Sequence, residues 1–475
     1  MSELASGAPV QSAGVEAVLA DFAAGLVLER LNPQLLDKAR LCLTDAIGAS
    51  MTLMGTPEGR QAIETVGQPT PASPAVVPGV GRRWRAGDAA FVNAVAAAAT
   101  VRTDTHAQSA SHPGMVVLPV VLALGEEFDV DASDLLCAIV AGYELSIRLG
   151  LAMVTPELSR LFRPTGLTGA VGAAAAGARL LGLDAQATRV AMALAANTAS
   201  GLNEWARAGT SEHVFHAGTA ARNAVVAVQL ARGGAKAAPS SLSGSSGLLA
   251  AYGASERVGM LTADLGKRFH MLEVIHKLAP ACVFAQAPCQ AALYLAKNEA
   301  ITPAEIESVE IGVTAAAAAF PGCDFAGPFV DRAAAQQSIQ FGVASVLCAS
   351  AIDERYWAEP HGPHVNELAA RCRVTVDPAI DAEHPARFGA AVRVRTTTGR
   401  NLQSSVADAP EMSSSAIEAR FTADSGAVIG EAAAARLLGA IRALGSTGSA
   451  RSLFECLAPT APVAATSATQ PMLVV

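Results

Sequence analysis

Aromatic residues make up only 4% of the 475-residue sequence, and charged residues only 16%. A chain this poor in bulky rings and this rich in alanine is unsuited to a β-sandwich or barrel and favours closely packed helices. So little charge leaves little to solvate a large surface, and part of the apolar surface is expected to be buried in an oligomer. Lysine and arginine form no long runs and the net charge is −8. Nucleic-acid binding therefore has no electrostatic footprint, and an anionic ligand must be met by a few concentrated cations. No CxxC pair occurs among Cys42, Cys137, Cys282, Cys289, Cys323, Cys348, Cys372 and Cys456. Thiols scattered in this way predict neither a disulfide framework nor a structural zinc site, and the expected compartment is the reducing cytoplasm. The opening MSELASGAPVQSAG lacks the basic and apolar regions of a signal peptide. No unbroken apolar run reaches the roughly 18 residues of a membrane span, so no membrane partner is expected.

What is present is mostly helical periodicity. Apolar residues recur at helical spacing in 15–31, 35–51, 119–127, 135–149 and 185–196. Asp131 is placed to cap the helix that begins near Leu135, with Asp134 adding negative charge to its first turn. The stretch from Thr168 to Arg179 has almost no side chains and predicts a central buried helix. Gly166, Gly169 and Gly172 mimic a dinucleotide fingerprint, but no strand precedes them. Alternating segments at 306–313, 371–376, 390–396 and 402–406 predict strands, with a turn at Thr398-Gly399. Helical segments near 288–298 and 332–350 flank the first of them, and the helical pattern returns at 413–421 and 427–444. The expected fold is mainly α with an inserted α+β domain. A helical domain is built from 13–268 and 407–457, the α+β domain spans 269–406, and residues 1–12 and 458–475 are expected to be disordered tails.

Three clusters carry chemistry. Asp104, Thr105, His106 and His112 lie in a polar loop between apolar helical segments, in a chain with nine histidines. Function concentrates on such loops; the alternative is a solvated connection that caps a helix at Pro113. His213 and His216 share a helical face. With His106 and His112 they offer a metal set, but no HExxH or equivalent spacing supports one; His216 reads equally as a residue bonded to backbone at a tight helix start. Lys277 follows His276 amid apolar residues, downstream of Lys267 and Arg268. A desolvated lysine acts as a base or grips a carboxylate, whereas an exposed one would merely snorkel from a loop.

At these residues the sequence resembles the MmgE/PrpD family, which includes 2-methylcitrate dehydratase, cis-aconitate decarboxylase and iminodisuccinate epimerase. The resemblance rests on Asp104-Thr-His…Ser-His-Pro-Gly114 leading into Val117-Leu-Pro119, on Phe162-Arg-Pro-Thr-Gly with its glycine- and alanine-rich continuation, on Ala208-Gly-Thr…Phe-His-Ala-Gly-Thr-Ala-Ala221, and on Gln337-Ser-Ile-Gln-Phe341. Order and spacing agree over roughly residues 15–455. The resemblance implies a helical domain, a lid domain, a homodimer, an active site between the two domains, and no metal or organic cofactor. It further implies proton transfer at a carbon next to a carboxylate, followed by dehydration, decarboxylation or epimerisation of a small carboxylate substrate.

Carried over residue by residue, His112 is the general base or acid, Lys277 binds a carboxylate and stabilises enolate-like charge, and Thr105 hydrogen-bonds substrate. Asp104 and His213 complete the candidate catalytic set; His106, Arg163, Cys282, Phe341 and Val101 join Thr105 as candidate binding residues. Several positions depart from the family pattern. Val101 replaces an acid, Arg163 a histidine, His213 a lysine, Cys282 a histidine and Phe341 a tyrosine, and a further histidine falls at Ala285 or Gln286. These exchanges predict a lyase substrate less polar than 2-methylcitrate. The alternatives are an isomerase or epimerase using the same proton abstraction, and a non-catalytic member that binds a ligand or partner.

Overall fold

The computed structural model describes residues 14–70, 72–445 and 448–458. The expected tails, Ala458 excepted, lie outside the described residues. The fold is mainly α, with a smaller α+β part that holds a four-stranded sheet. Two hydrophobic cores are distinct. One draws on residues 19–274 and 421–457, the other on residues 279–394.

The first core is organised around the helix Pro164–Leu180, every residue of which is buried. Pro164 at its first position is already set for helical geometry. Its small residues let the helix Ala132–Met153 cross it backbone to backbone: a Cβ on Gly172 would lie 2.6 Å from the Gly142 carbonyl oxygen. Ala132–Met153 is long and apolar enough to cross a membrane, but 94% of its most apolar window is buried inside the structure. Its Glu144 and Arg148 pair at 3.2 Å. Arg148 also donates to the Ala263 and Arg268 carbonyls, and Glu144 accepts from the Met271 amide at 2.8 Å. Those bonds fix the segment that leads to Lys277. Asp131 sits at the N-cap position, but its side chain makes no cap bond, while Asp134 in the first turn pairs with Arg179 at 2.9 Å.

Two expected helices are shorter than their periodicity suggested. The segment 15–31 is helical over Val15–Ala24 and then forms a separate 3-10 turn at Leu28–Arg30. The segment 427–444 is divided at Gly430, whose φ of 83° ends Ser414–Ile429 before Glu431–Ala443 begins. Ser414–Ile429 packs on Pro33–Met51, returning the C-terminal part to the first core.

In the second core the sheet runs in the order Cys372–Val376, Ile306–Val313, Ala390–Thr396, Asn401–Val406. The first pair is parallel and the others antiparallel. Ile311 pairs with Val374 on one side and Val392 on the other. The helix Val283–Asn298 covers the Ala390–Thr396 and Asn401–Val406 side, and Ile339–Ala349 packs on that helix. A short hairpin, Ala75–Val77 with Arg82–Trp84, has strands too brief to show alternation in the sequence.

The two parts are tied by buried charge. Arg102 binds both carboxylate oxygens of Glu354, at 2.7 and 2.9 Å, and also Asp424. Arg420 bonds Asp45 at 2.7 Å and donates to the backbone carbonyl of Lys277 at 2.9 Å.

Candidate active site

A cavity of about 710 Å³ opens between the loop 101–112, the start of the helix Pro164–Leu180, and the segments around 277–284, 316–337 and 384–388. The loop and the lysine segment are stitched together by a two-way backbone bridge. The Thr105 amide donates to the Ile275 carbonyl at 2.8 Å, and the Ile275 amide returns a bond to Thr105 at 2.9 Å. This bridge brings His112 and Lys277, 165 positions apart, onto one cavity.

His112 is held by its Nδ1, 3.0 Å from the Asp104 carbonyl oxygen and 2.9 Å from Thr105 Oγ1. A carbonyl only accepts, so Nδ1 carries the proton and Nε2 presents a lone pair. Nε2 has no hydrogen-bond partner among the described residues. Burial pushes the pKa of His112 well below 6.5, and the positive charges of Lys277 and Arg163 push it further. The imidazole is thus neutral at neutral pH, with its Nε2 lone pair free.

Lys277 is 1% exposed. Its Nζ donates to the Val101 carbonyl at 3.1 Å, and burial, opposed in part by Cys282, lowers its pKa to about 8. Arg163 is likewise buried. It donates to the His213 carbonyl, lies 6.0 Å above the Trp205 ring, and is lowered to about 10 by burial. Among the described residues neither cation has a carboxylate partner in an ion pair. Two desolvated positive charges facing a cavity without a carboxylate counter-ion make an anion site.

His213 stacks on Trp205 with ring centroids 3.9 Å apart, and burial holds its pKa well below 6.5. His213 Nδ1, Asn203 Oδ1 and Trp205 Nε1 are buried without a protein partner, and all three residues line the cavity. Cys282 occupies the N-cap of Val283–Asn298. Its thiol is pulled down toward about 7, chiefly by the hydrogen bond from Cys323, then by the Phe284 amide and the Lys277 charge. The far wall is apolar: Phe284 sits 5.5 Å from Phe320 and 5.8 Å from Phe388, ring to ring, beside Ala316 and Ala319.

Seven of the residues singled out from sequence therefore share this cavity: Val101, Thr105, His112, Arg163, His213, Lys277 and Cys282. Three of the candidate catalytic and binding residues do not line it. Asp104 lies beneath the loop, accepting from Tyr143 Oη at 2.5 Å and the Gly114 amide at 3.2 Å. Burial raises its carboxyl to about 6, and it acts on the cavity only through the His112 contact of its carbonyl. His106 faces away, toward Glu273 and edge-on to His270. His106, His270 and Glu273 are close enough to suggest a metal set. The Ser109 amide, however, donates to His106 Nδ1 at 3.2 Å, which puts the proton on Nε2 where a metal would need a lone pair, and Arg268 occupies the other Glu273 oxygen at 2.8 Å. Phe341 is in the second core, 4.8 Å from the Phe329 ring. His216 Nδ1 has no partner, so the expected backbone bond at the helix start does not form.

Sequence reasoning missed Asn203, Trp205, the phenylalanine wall and Arg420. Trp205 could have been flagged as one of only three tryptophans; the others carry no local signal.

Residues 17–260 match the MmgE/PrpD N-terminal domain model and residues 279–445 the MmgE/PrpD C-terminal domain model. Among curated proteins, the chain is 31% identical over 228 residues to the cis-aconitate decarboxylase-like protein oryM of Aspergillus oryzae, covering 46% of this chain and 47% of that protein. It is 36% identical over 148 residues to the cis-aconitate decarboxylase of Homo sapiens, covering 30% of each, and 35% identical over 148 residues to that of Mus musculus. The matched stretches span less than half of each relative's length. Two adjoining domain models that together cover most of the sequence, matched in chain order across both cores, establish that the chain belongs to the MmgE/PrpD family.

Proposed function

We propose that the protein is a cofactor-independent lyase of the dehydratase or decarboxylase type, acting on a carboxylate that also carries apolar bulk. The observation that carries this reading is the pair of buried cations without carboxylate partners, Arg163 and Lys277, beside a neutral His112. In the proposed reaction the cations hold a carboxylate, and His112 Nε2 removes a proton from the adjacent carbon. The electron pair delocalises into that carboxylate, where Lys277 stabilises it. It then forms the carbon–carbon double bond as the neighbouring carbon releases hydroxide, which takes the proton from His112 and leaves as water; in a decarboxylation, loss of carbon dioxide supplies the pair, which takes its proton from the Lys277 ammonium. The α+β part would act as the lid over this site, and a homodimer is part of the same proposal. Exposed Val226 and Leu230, one turn apart on the helix His213–Arg232, support it.

The relatives named for cis-aconitate support the reaction type. The Phe284, Phe320 and Phe388 wall supports a less polar substrate, because a third carboxylate placed there would be desolvated with only His384 beside it, an imidazole whose pKa burial lowers. Incubation in deuterium oxide with cis-aconitate, 2-methylcitrate and a series of 2-alkylmalates, followed by NMR, tests both parts. The expected result is loss of water or carbon dioxide with proton transfer at the carbon next to a carboxylate, faster for the 2-alkylmalates with longer chains. Faster turnover of cis-aconitate or 2-methylcitrate would overturn the assignment of the apolar wall. Exchange without loss of any group would reassign the protein as an epimerase.

A further inference from the structure

We propose that Cys282 and Cys323 are a peroxide-sensitive pair that closes to a reversible disulfide and switches the cavity off. Cys282 lines the cavity, while Cys323 is fully buried behind it. Their sulfurs are 3.8 Å apart, so a bond requires an approach of roughly 1.7 Å. Cys323 sits on a turn beside Gly322, whose φ is 77°, and the Gln337 side-chain amide donates to its sulfur at 3.5 Å.

The two thiols are differentiated as an attacking and a resolving group. Four groups around Cys282 favour its thiolate and outweigh the opposing effect of burial: the Cys323 thiol, the Phe284 amide at a helix start, the Lys277 ammonium and the Gln337 amide. Cys323 is held well above 9.0 by burial and by its neighbour. Burial also raises Cys42, Cys137, Cys289, Cys348, Cys372 and Cys456. Among the eight, the reactive thiol is thus the one that faces the cavity.

In the first step the Cys282 thiolate attacks one oxygen of a hydroperoxide. The O–O bond breaks, the other oxygen leaves as an alcohol or water after taking up a proton, and Cys282 becomes a sulfenic acid. In the second step Cys323 sulfur attacks the Cys282 sulfur. The sulfenic hydroxyl leaves with the Cys323 proton as water, and the S–S bond forms. Two thiols are oxidised, one peroxide is reduced, and a thiol reductant reverses the change. The disulfide has no charge, so Lys277 loses the thiolate that supports its protonation. The cation that would hold a carboxylate is weakened. This last consequence rests on the proposed function; the disulfide itself does not.

The experiment is stoichiometric hydrogen peroxide on the full-length protein, thiol blocking, and peptide mass mapping with and without dithiothreitol. The expected product is a cross-link between the peptides holding Cys282 and Cys323, lighter by two hydrogens and reversed by dithiothreitol, formed before any other cysteine reacts. In Cys323→Ser, dimedone should trap a sulfenic acid at Cys282. A free Cys282 after peroxide treatment of the wild type, or earlier oxidation of another cysteine, overturns the proposal even if Cys323→Ser fails to fold. If the cross-link forms but binding of 2-hexylsuccinate is unchanged, the switch is overturned and the proposed function is untouched.

Discussion

The Lys277 ammonium donates to the Val101 carbonyl at 3.1 Å, and Val101 presents that carbonyl from a left-handed backbone conformation with φ of 53°. A β-branched residue there costs about 1–2 kcal/mol. The contact satisfies one lysine proton without neutralising the charge, which leaves the charge free to attract a ligand.

Val101→Gly should therefore fold at least as stably as the wild type, because relief of that strain exceeds the ~0.5–1 kcal/mol entropic cost of glycine. Urea unfolding measures it, and a clear loss of stability would contradict the strain.

His112→Ala should lower kcat/KM about 10²–10⁴-fold on any substrate that turns over, with circular dichroism unchanged. Thr105→Val should lower it less, since the Asp104 carbonyl still fixes the Nδ1 proton.

Lys277→Met should increase the stability of the ligand-free protein by about 2 kcal/mol near neutral pH, because the variant no longer buries an unpaired charge. The folded-state pKa of Lys277 is lowered from 10.5 to about 8, so between those values the unfolded chain holds a proton that the folded chain has lost. The destabilisation is fully present below about pH 8 and fades toward 10.5. The variant's advantage should shrink across that window. Activity of the wild type should fall above about pH 8 as the ammonium deprotonates. Denaturation midpoints and rates across pH 6–10 check both.

Gly114→Ala should destabilise the protein by about 1–3 kcal/mol and disturb the site. The added Cβ would press on the Tyr143 hydroxyl and come within 2.7 Å of both Asp104 carboxylate oxygens. Thermal unfolding and loss of turnover together are the expected result.

Much of this was legible in the sequence, for identifiable reasons. Long helices such as Pro33–Met51 and the strands Ile306–Val313 and Ala390–Thr396 show their periods plainly. The polar loop holding His112 stood out against apolar neighbours. Local pattern could not show that the Thr105–Ile275 bridge joins this loop to Lys277, because a two-residue bridge has no period. It also could not separate Asp104 from His112 or His106. All three lie in one motif, but the loop turns only His112 into the cavity, holding Asp104 under Gly114 and aiming His106 at Glu273. Phe341 looked like a site residue by position, yet its ring belongs to the second core.

The most direct test is calorimetric titration of 2-hexylsuccinate at pH 7 into the wild type and Lys277→Met. Loss of a hydrogen bond to a charged partner predicts binding about 10- to 100-fold weaker in the variant, and a comparable loss when the ligand's carboxylates are replaced by amides. Equal affinity of wild type and variant for the diacid would contradict the account.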